Sequence, residues 1–180
     1  MSVEDAFDGR GPAVFLRAIN VGNRRIARAA LRSVFAEVGY PGVATFQAAG
    51  NIIVPGTDPP RSSLIEDGIE RHFGFRSEAF VRSADEIAAI VTGVPWSAAD
   101  ATVEVSFLEH PPHPADVRTL VETVEEPEAL LVSGTHVYFR RQGKGIETVH
   151  REATTERILG MRTTRRAFRT VFAMADRLRR

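Results

Sequence analysis

Apolar positions in the first half of the chain change period several times, and each change marks an element. Val14-Phe-Leu-Arg-Ala-Ile19 is rich in β-branched and aromatic residues, the composition of a strand. After the loop Asn20-Val-Gly-Asn23 the spacing becomes three and four. Leu31, Val34, Phe35 and Val38 then share one helical face, and Gly39 is a good stop. Val43-Ala-Thr-Phe46 and Ile52-Ile-Val54 read as short strands joined through Ala48-Ala-Gly-Asn51 as a hairpin. Pro59-Pro60 and Ser62-Ser63 open a second helix with the apolar set Leu64, Ile65, Ile69 and Phe73, and Glu78 to Arg82 forms a fourth strand. Ser83-Ala-Asp-Glu86 is a capping-box pattern, in which serine and glutamate each satisfy an end amide of a short helix reaching Gly93.

A similar order begins again after Ser97-Ala-Ala-Asp-Ala101, which reads as a linker between a first subdomain at 1–96 and a second at 102–180. Val103-Glu-Val-Ser-Phe-Leu108 is a strand, and Val117, Leu120, Val121 and Val124 mark a helix after Pro114. Ala129-Leu-Leu-Val132 and His136-Val-Tyr-Phe139 flank a second hairpin at Ser133-Gly-Thr135. Glu152 to Leu159 and Arg165 to Leu178 read as helices. The first half has the order βαββαβ, and the second matches βαββα before diverging into a terminal helix. The expected fold is therefore α+β: two ferredoxin-like (βαββαβ-type) subdomains with a C-terminal helix.

Composition narrows the class. At 43% hydrophobic and 26% charged residues the chain is an ordinary globular one, so a packed core is expected. The absence of cysteine excludes disulfides, thiolate metal sites and cysteine nucleophiles. The first nine residues carry three acids and no base, unlike a secretory signal, and the near-apolar stretch Ile87 to Trp96 falls short of a membrane span of about 20 residues. A soluble, cytoplasmic protein with no membrane partner is expected. The net charge of zero hides an uneven distribution: Arg10 to Ala36 holds six arginines and no acid, and Arg151 to Arg180 holds nine arginines against three acids. Lys144 is the only lysine.

Four stretches then occur in order, from about Ala13 to about Leu178. They are Arg17-Ala-Ile-Asn-Val-Gly22 ahead of a helix, Phe46-Gln-Ala-Ala-Gly-Asn51, Val105-Ser-Phe-Leu108 and Thr164-Arg-Arg-Ala-Phe-Arg-Thr-Val171. Together they resemble the bacterial family called domain of unknown function 1697, whose members carry an RGINVGG-like stretch, an SGN-like stretch and an ending close to TTRNWxTV. Ala18 and Asn23 stand where the family has glycines, Ala49 where it has serine, Ala167 where it has asparagine and Phe168 where it has tryptophan. The resemblance implies an α+β fold with two plait-like subdomains, and it implies no reaction. If the family's serine and asparagine hold a ligand, this chain has lost part of that site.

Candidate chemistry centres on anions. Backbone amides of the Asn20-Val-Gly22 loop, at a helix start, can hold an anion, although the Gly-Lys-Ser/Thr ending of a P-loop is missing. A tight connection needing Asn and Gly is the plainer account, and Gly50-Asn51 reads likewise as turn chemistry. Arg25, Arg28 and Arg32 share a helix face opposite Leu31, Val34 and Phe35. Arg162, Arg165, Arg166 and Arg169 crowd the expected start of the last helix, where each cation opposes the dipole by about 0.3–1 kcal/mol. Acids elsewhere in the fold, plain solvation and a bound anion all account for such clusters.

The candidate ligand-binding residues are Arg17, Asn20, Gly22, Arg24, Arg25, Gly50, Asn51, Arg165, Arg166 and Arg169. The strand Asn51 to Val54 lacks the stacking aromatics of a standard RNA-recognition domain. Catalytic patterns are weaker. The five histidines are scattered, His110-Pro-Pro-His113 is a poor metal site, and Ser106 and Ser133 lack a nucleophile-elbow context. Glu147, Thr148 and His150 lie near Lys144 and could serve acid–base chemistry, though any polar loop offers as much. No cofactor, metal or catalytic residue is identified. Three readings follow: a protein binding a phosphate-bearing or other anionic ligand, a small molecule or a nucleic acid, in an arginine-lined groove; an enzyme acting on a small anionic metabolite; and a homo-oligomer, such as a homodimer, whose basic faces meet acidic ones.

Overall fold

The computed structural model describes residues 11–47, 50–97, 99–100, 102–124, 129–140 and 152–179. Fourteen elements follow one another: β1 (Ala13–Leu16), α1 (Arg28–Glu37), β2 (Ala44–Phe46), β3 (Asn51–Ile53), α2 (Ser62–Phe73), β4 (Ala79–Arg82), α3 (Ala84–Thr92), β5 (Val103–Leu108), α4 (Pro114–Glu122), β6 (Leu130–Ser133), β7 (His136–Arg140), α5 (Glu152–Leu159), β8 (Thr163–Ala167) and α6 (Phe168–Leu178). They build two antiparallel four-stranded sheets, in the orders β2-β3-β1-β4 and β6-β7-β5-β8. Each half is thus a βαββαβ unit with the same strand order, and a C-terminal helix follows the second. The chain separates into two compact units, residues 1–90 with 174–180 and residues 91–173.

In the first sheet Val14 stands opposite both Ile52 and Val81, and Leu16 opposite Ala79. These side chains share a core with Leu31, Val34 and Phe35 of α1 and Ile65 and Ile69 of α2. The helical period therefore buried the face it marked. Gly74 ends α2 in the left-handed conformation, its amide bonded to the Glu70 carbonyl. The capping box of α3 forms in both directions. Glu86 accepts from the Ser83 amide at 2.7 Å, and Ser83 Oγ accepts from the Glu86 amide at 3.1 Å.

In the second sheet Leu108, Val137, Phe139 and Leu130 line the face beneath Leu120 of α4 and Leu159 of α5. Residues 163–167 correct the sequence expectation of one continuous helix from Arg165. They pair in register with β5, Arg165 opposite Ser106 and Thr163 opposite Leu108, and only from Phe168 does the chain turn helical. The apolar set Phe168, Val171 and Ala175 is helical, but its extension back to Arg165 is not. Two β-branched threonines and an open strand position beside β5 outweigh it.

The central strands are buried on both sides. All residues of β1 and β3 are buried, as are five of the six of β5. Phe15 and Phe80, on the face away from α1 and α2, are 0% and 3% exposed. An antiparallel sheet with one wet face would alternate apolar and polar residues, and these strands do not.

Gly68 shows how closely α2 lies on α1, because a Cβ there would meet Val38 Cγ1 at 2.7 Å and Val34 Cγ1 at 3.1 Å. Alanine would gain about 1 kcal/mol of helix propensity but overpack the seam at a cost of about 1–3 kcal/mol. Gly68→Ala is expected to destabilise the protein by about 1 kcal/mol in chemical unfolding. In a Val38→Ala background, which opens the space, the same change should become stabilising.

Candidate functional site

The candidate residues of the first unit gather at one end of its sheet. β1 delivers the chain into the loop from Arg17 to Ala27, and the hairpin between β2 and β3 folds against it. The Leu16 amide donates to the Gly50 carbonyl at 2.8 Å. Gly50 has φ +72°, and a Cβ there would meet Ile19 Cγ2 at 2.6 Å and Leu16 Cβ at 3.1 Å. Two stretches separated by some thirty residues in sequence therefore touch, and only glycine permits the approach. Asn51 is the first residue of β3 rather than part of the turn. It is buried, and its side-chain amide donates to the Phe46 carbonyl at 3.1 Å. Asn20 folds inward as well, its Oδ1 accepting from the Ile26 amide at 2.7 Å. Both asparagines bond backbone groups nearby in sequence. Ala48 and Ala49 lie outside the described residues.

The arginines of this loop differ in their partners. Arg17 is tied to the segment before β4: its Nη1 lies 3.5 Å from Glu78 Oε2, its amide donates to the Glu78 carbonyl, and its carbonyl accepts from Ser77 Oγ at 2.6 Å. Arg24 donates from Nη2 to the Ala18 carbonyl at 2.9 Å, with its guanidinium carbon 3.7 Å from the centre of the Phe75 ring. Arg25 folds back onto the carbonyls of Gly22 and Arg24 at 2.9 and 2.8 Å. Arg32 reaches Thr45 Oγ1 at 3.5 Å. Among the described residues none of Arg24, Arg25, Arg28 and Arg32 forms an ion pair with a carboxylate. Arg25 and Arg28 are exposed, at the start of a helix whose first turn holds no acid.

The second unit treats its arginines in the opposite way. Because Arg165 sits on β8 and not at a helix start, the dipole penalty expected for it does not arise. Its Nε donates to Ser106 Oγ at 3.1 Å, its Nη1 lies 3.5 Å from Glu104 Oε2, and its guanidinium carbon is 4.2 Å from the centre of the Phe139 ring. Burial holds this guanidinium below its ordinary pKa, while Glu104 and Glu152 pull it back up. Burial also pushes Arg166 down, to about 10, against the opposing pull of Glu152. Arg166 donates to Thr164 Oγ1 and to the Arg165 carbonyl at 2.9 and 2.8 Å. Arg162 lies 3.3 Å from Glu156 Oε2. Arg169, in the first turn of α6, is exposed.

Two depressions are lined by described residues. One, of about 530 Å³ in the second unit, is lined by Glu109, Glu156, Arg157 and Arg162, where acids and bases balance. The other, of about 490 Å³ in the first, is lined by Pro12, Thr57, Ser83, Asp85, Leu178 and Arg179 among others. Among the described residues no three His, Cys, Asp or Glu side chains group to hold a metal. His113 instead caps α4, its Nδ1 accepting from the Ala115 amide at 3.2 Å. Lys144, Glu147, Thr148 and His150 lie outside the described residues. No helix among the described residues is long and apolar enough to cross a membrane.

The family model described as protein of unknown function (DUF1697) matches residues 12–138. The chain belongs to that family. Among solved structures, the conserved bacterial protein SP0830 from Streptococcus pneumoniae is similar with a TM-score of 0.70 and 20% identity, over 95% of this chain and 99% of that one. A likeness at that identity is one of fold. No curated protein matches the chain. Read on this structure, the motifs of the DUF1697 family mark geometry. The glycine after the motif arginine is Ala18 here, at φ +51°, in the left-handed region where a Cβ is strained.

Two outcomes follow from this geometry. Ala18→Gly relieves about 1–2 kcal/mol of backbone strain and loses about 0.4–1 kcal/mol to unfolded-state entropy, so it should stabilise the protein by about 0.5–1 kcal/mol in denaturant titration. Arg165→Met strands Glu104 on a largely buried sheet and should cost about 3 kcal/mol. Pairing it with Glu104→Leu should recover most of that loss in a double-mutant cycle.

Proposed function

We propose that this protein binds a phosphate-bearing polyanion on the face formed by the β1–α1 loop and the first turns of α1. The single observation that carries this reading is that Arg24, Arg25, Arg28 and Arg32 concentrate four positive charges without one carboxylate partner among the described residues. In the same protein Arg17, Arg162 and Arg165 are each matched by a glutamate. A protein of zero net charge has acids enough to neutralise this loop as well. Leaving four arginines together costs mutual repulsion, and a bound anion relieves it.

The loop suits such a role. Arg24 and Arg25 donate to carbonyls of their own segment, which presets their guanidiniums before any ligand arrives. Preorganised donors hold phosphate without a further ordering cost. Arg17, Asn20, Gly22, Gly50 and Asn51 support this surface by fixing the loop and hairpin. Arg165 and Arg166 are occupied inside their own sheet, so the reading does not use them, and Arg169 is not needed for it.

The test is a thermal-shift titration with inorganic polyphosphate at low and moderate salt. Saturation near a hundred times the dissociation constant adds about 2.7 kcal/mol, a rise of roughly 5–10 °C for a chain of this size. The shift should shrink with salt and vanish in Arg25→Ala/Arg28→Ala, whose exposed side chains can be removed without touching the core. An unchanged shift in that variant, or no shift in the parent protein, rules the reading out.

A further inference from the structure

The arginines at the start of α1 have a complement within the chain itself. Residues 1–9 carry Glu4, Asp5 and Asp8, and no basic residue precedes Arg10. All three acids lie outside the described residues, which begin at Gly11. The start of α1 favours negative charge on two counts. Arg28 is exposed there and Arg32 follows one turn on, about 6 Å along the axis, neither paired with a carboxylate among the described residues. The helix also begins after Ala27 without a side-chain cap or an acid in its first turn, so no group of its own offsets the positive end of its dipole.

The point where residues 1–10 join the fold sets what they can reach. The Pro12 carbonyl accepts from the Val54 amide at 2.9 Å, and a Cβ on Gly11 would run into the Val54 carbonyl. The chain therefore enters β1 closely against the end of β3. β3 lies between β1 and β2, and Thr45 of β2 stands level with Val14 of β1 through Ile52. Two strand spacings, about 10 Å, separate Thr45 from Val14, and three residues of strand, about 10 Å more, separate Val14 from Gly11. Gly11 is thus about 14 Å from Thr45 on the diagonal. Arg32 reaches Thr45 Oγ1 at 3.5 Å. An extended chain covers about 3.3 Å per residue, so Asp8 reaches about 10 Å from Gly11, Asp5 about 20 Å and Glu4 about 23 Å. Asp5 and Glu4 span the gap to Arg32 with length to spare.

We infer that the acidic segment Glu4–Asp8 docks on the first turns of α1, with its carboxylates on Arg28 and Arg32. Tethering raises its local concentration to about the millimolar range, which compensates for the weakness of each exposed pair. Its competition with a bound polyanion rests on the reading above, whereas the docking does not.

The chain has no cysteine, so Ser2→Cys and Ser33→Cys, the latter on the exposed side of α1, accept nitroxide labels without background. Pulsed electron paramagnetic resonance on the full chain should show a short, narrow distance between them at low salt. That distance should lengthen and broaden at about 1 M salt, in Glu4→Gln/Asp5→Asn/Asp8→Asn and in Arg28→Ala/Arg32→Ala. Inorganic polyphosphate should displace the segment, and it should bind the acid-neutralised variant at least about threefold more tightly than the parent. A distance that is the same in the parent and the acid-neutralised variant overturns the inference. So does a short distance in a mixture of singly labelled chains, which would place the segment on a second copy. Equal polyphosphate affinity in the two proteins removes the competition and leaves the polyanion reading in place. A docked segment in a protein that binds no polyphosphate in either form supports the docking and removes the polyanion reading.

Discussion

Burial of the central strands on both faces limits where charge can go in this protein. A polar group on such a strand has no water to return to, so it must find a partner within the fold or raise the energy of the whole. Ser106 is fully buried and is met by Arg165. Asn51, at 1% exposure, spends its amide on the Phe46 carbonyl. Arg82 is buried at 6%, donates to the Val81 carbonyl and is held below its ordinary pKa by desolvation, with Glu86 opposing. The arginines on the sheets are thus structural parts whose charge is already committed.

The same constraint gives meaning to the arginines outside the sheets. The β1–α1 loop is held to the sheet by contacts that only small or turn-forming residues allow: Gly50 against Leu16 and Ile19, and Asn20 capping the Ile26 amide. The side chains of Arg25, on that loop, and of Arg28, the first residue of α1, remain at the surface. In the first unit the residues of the family-like stretches, Asn20, Gly50 and Asn51, act on the backbone of the loop and hairpin. Ala18 marks a cost of that arrangement, a left-handed residue retained without the glycine that would relax it.

Much of the architecture was legible in the chain. The three- and four-residue spacing of Leu31, Val34, Phe35 and Val38 located α1, the Ser-x-x-Glu signal located the start of α3, and the two hairpins lay where glycine interrupted apolar runs. These features are local: each depends on residues within one or two turns of one another, so a single sequence records them. The strand β8 was not legible. Arg165 and Arg166 carry no strand signal, and their pairing with Ser106 and Val105 depends on residues some sixty positions away.

The candidate site divides along the same line. Sequence alone determined that two arginine clusters exist, that they lie in or beside family-like stretches, and that the fold is α+β with two successive plait-like halves, the first of them βαββαβ. Tertiary structure decided which cluster is spent. Glu104 and Glu156 meet Arg165 and Arg162, whereas no carboxylate among the described residues meets Arg24, Arg25, Arg28 or Arg32. The contact that brings the Arg24 guanidinium to Phe75 joins residues about fifty positions apart and has no sequence signature at all. The physical reason is range. Hydrophobic period and capping act between neighbours in the chain, while ion pairing and stacking act between neighbours in space, and only the folded chain specifies those.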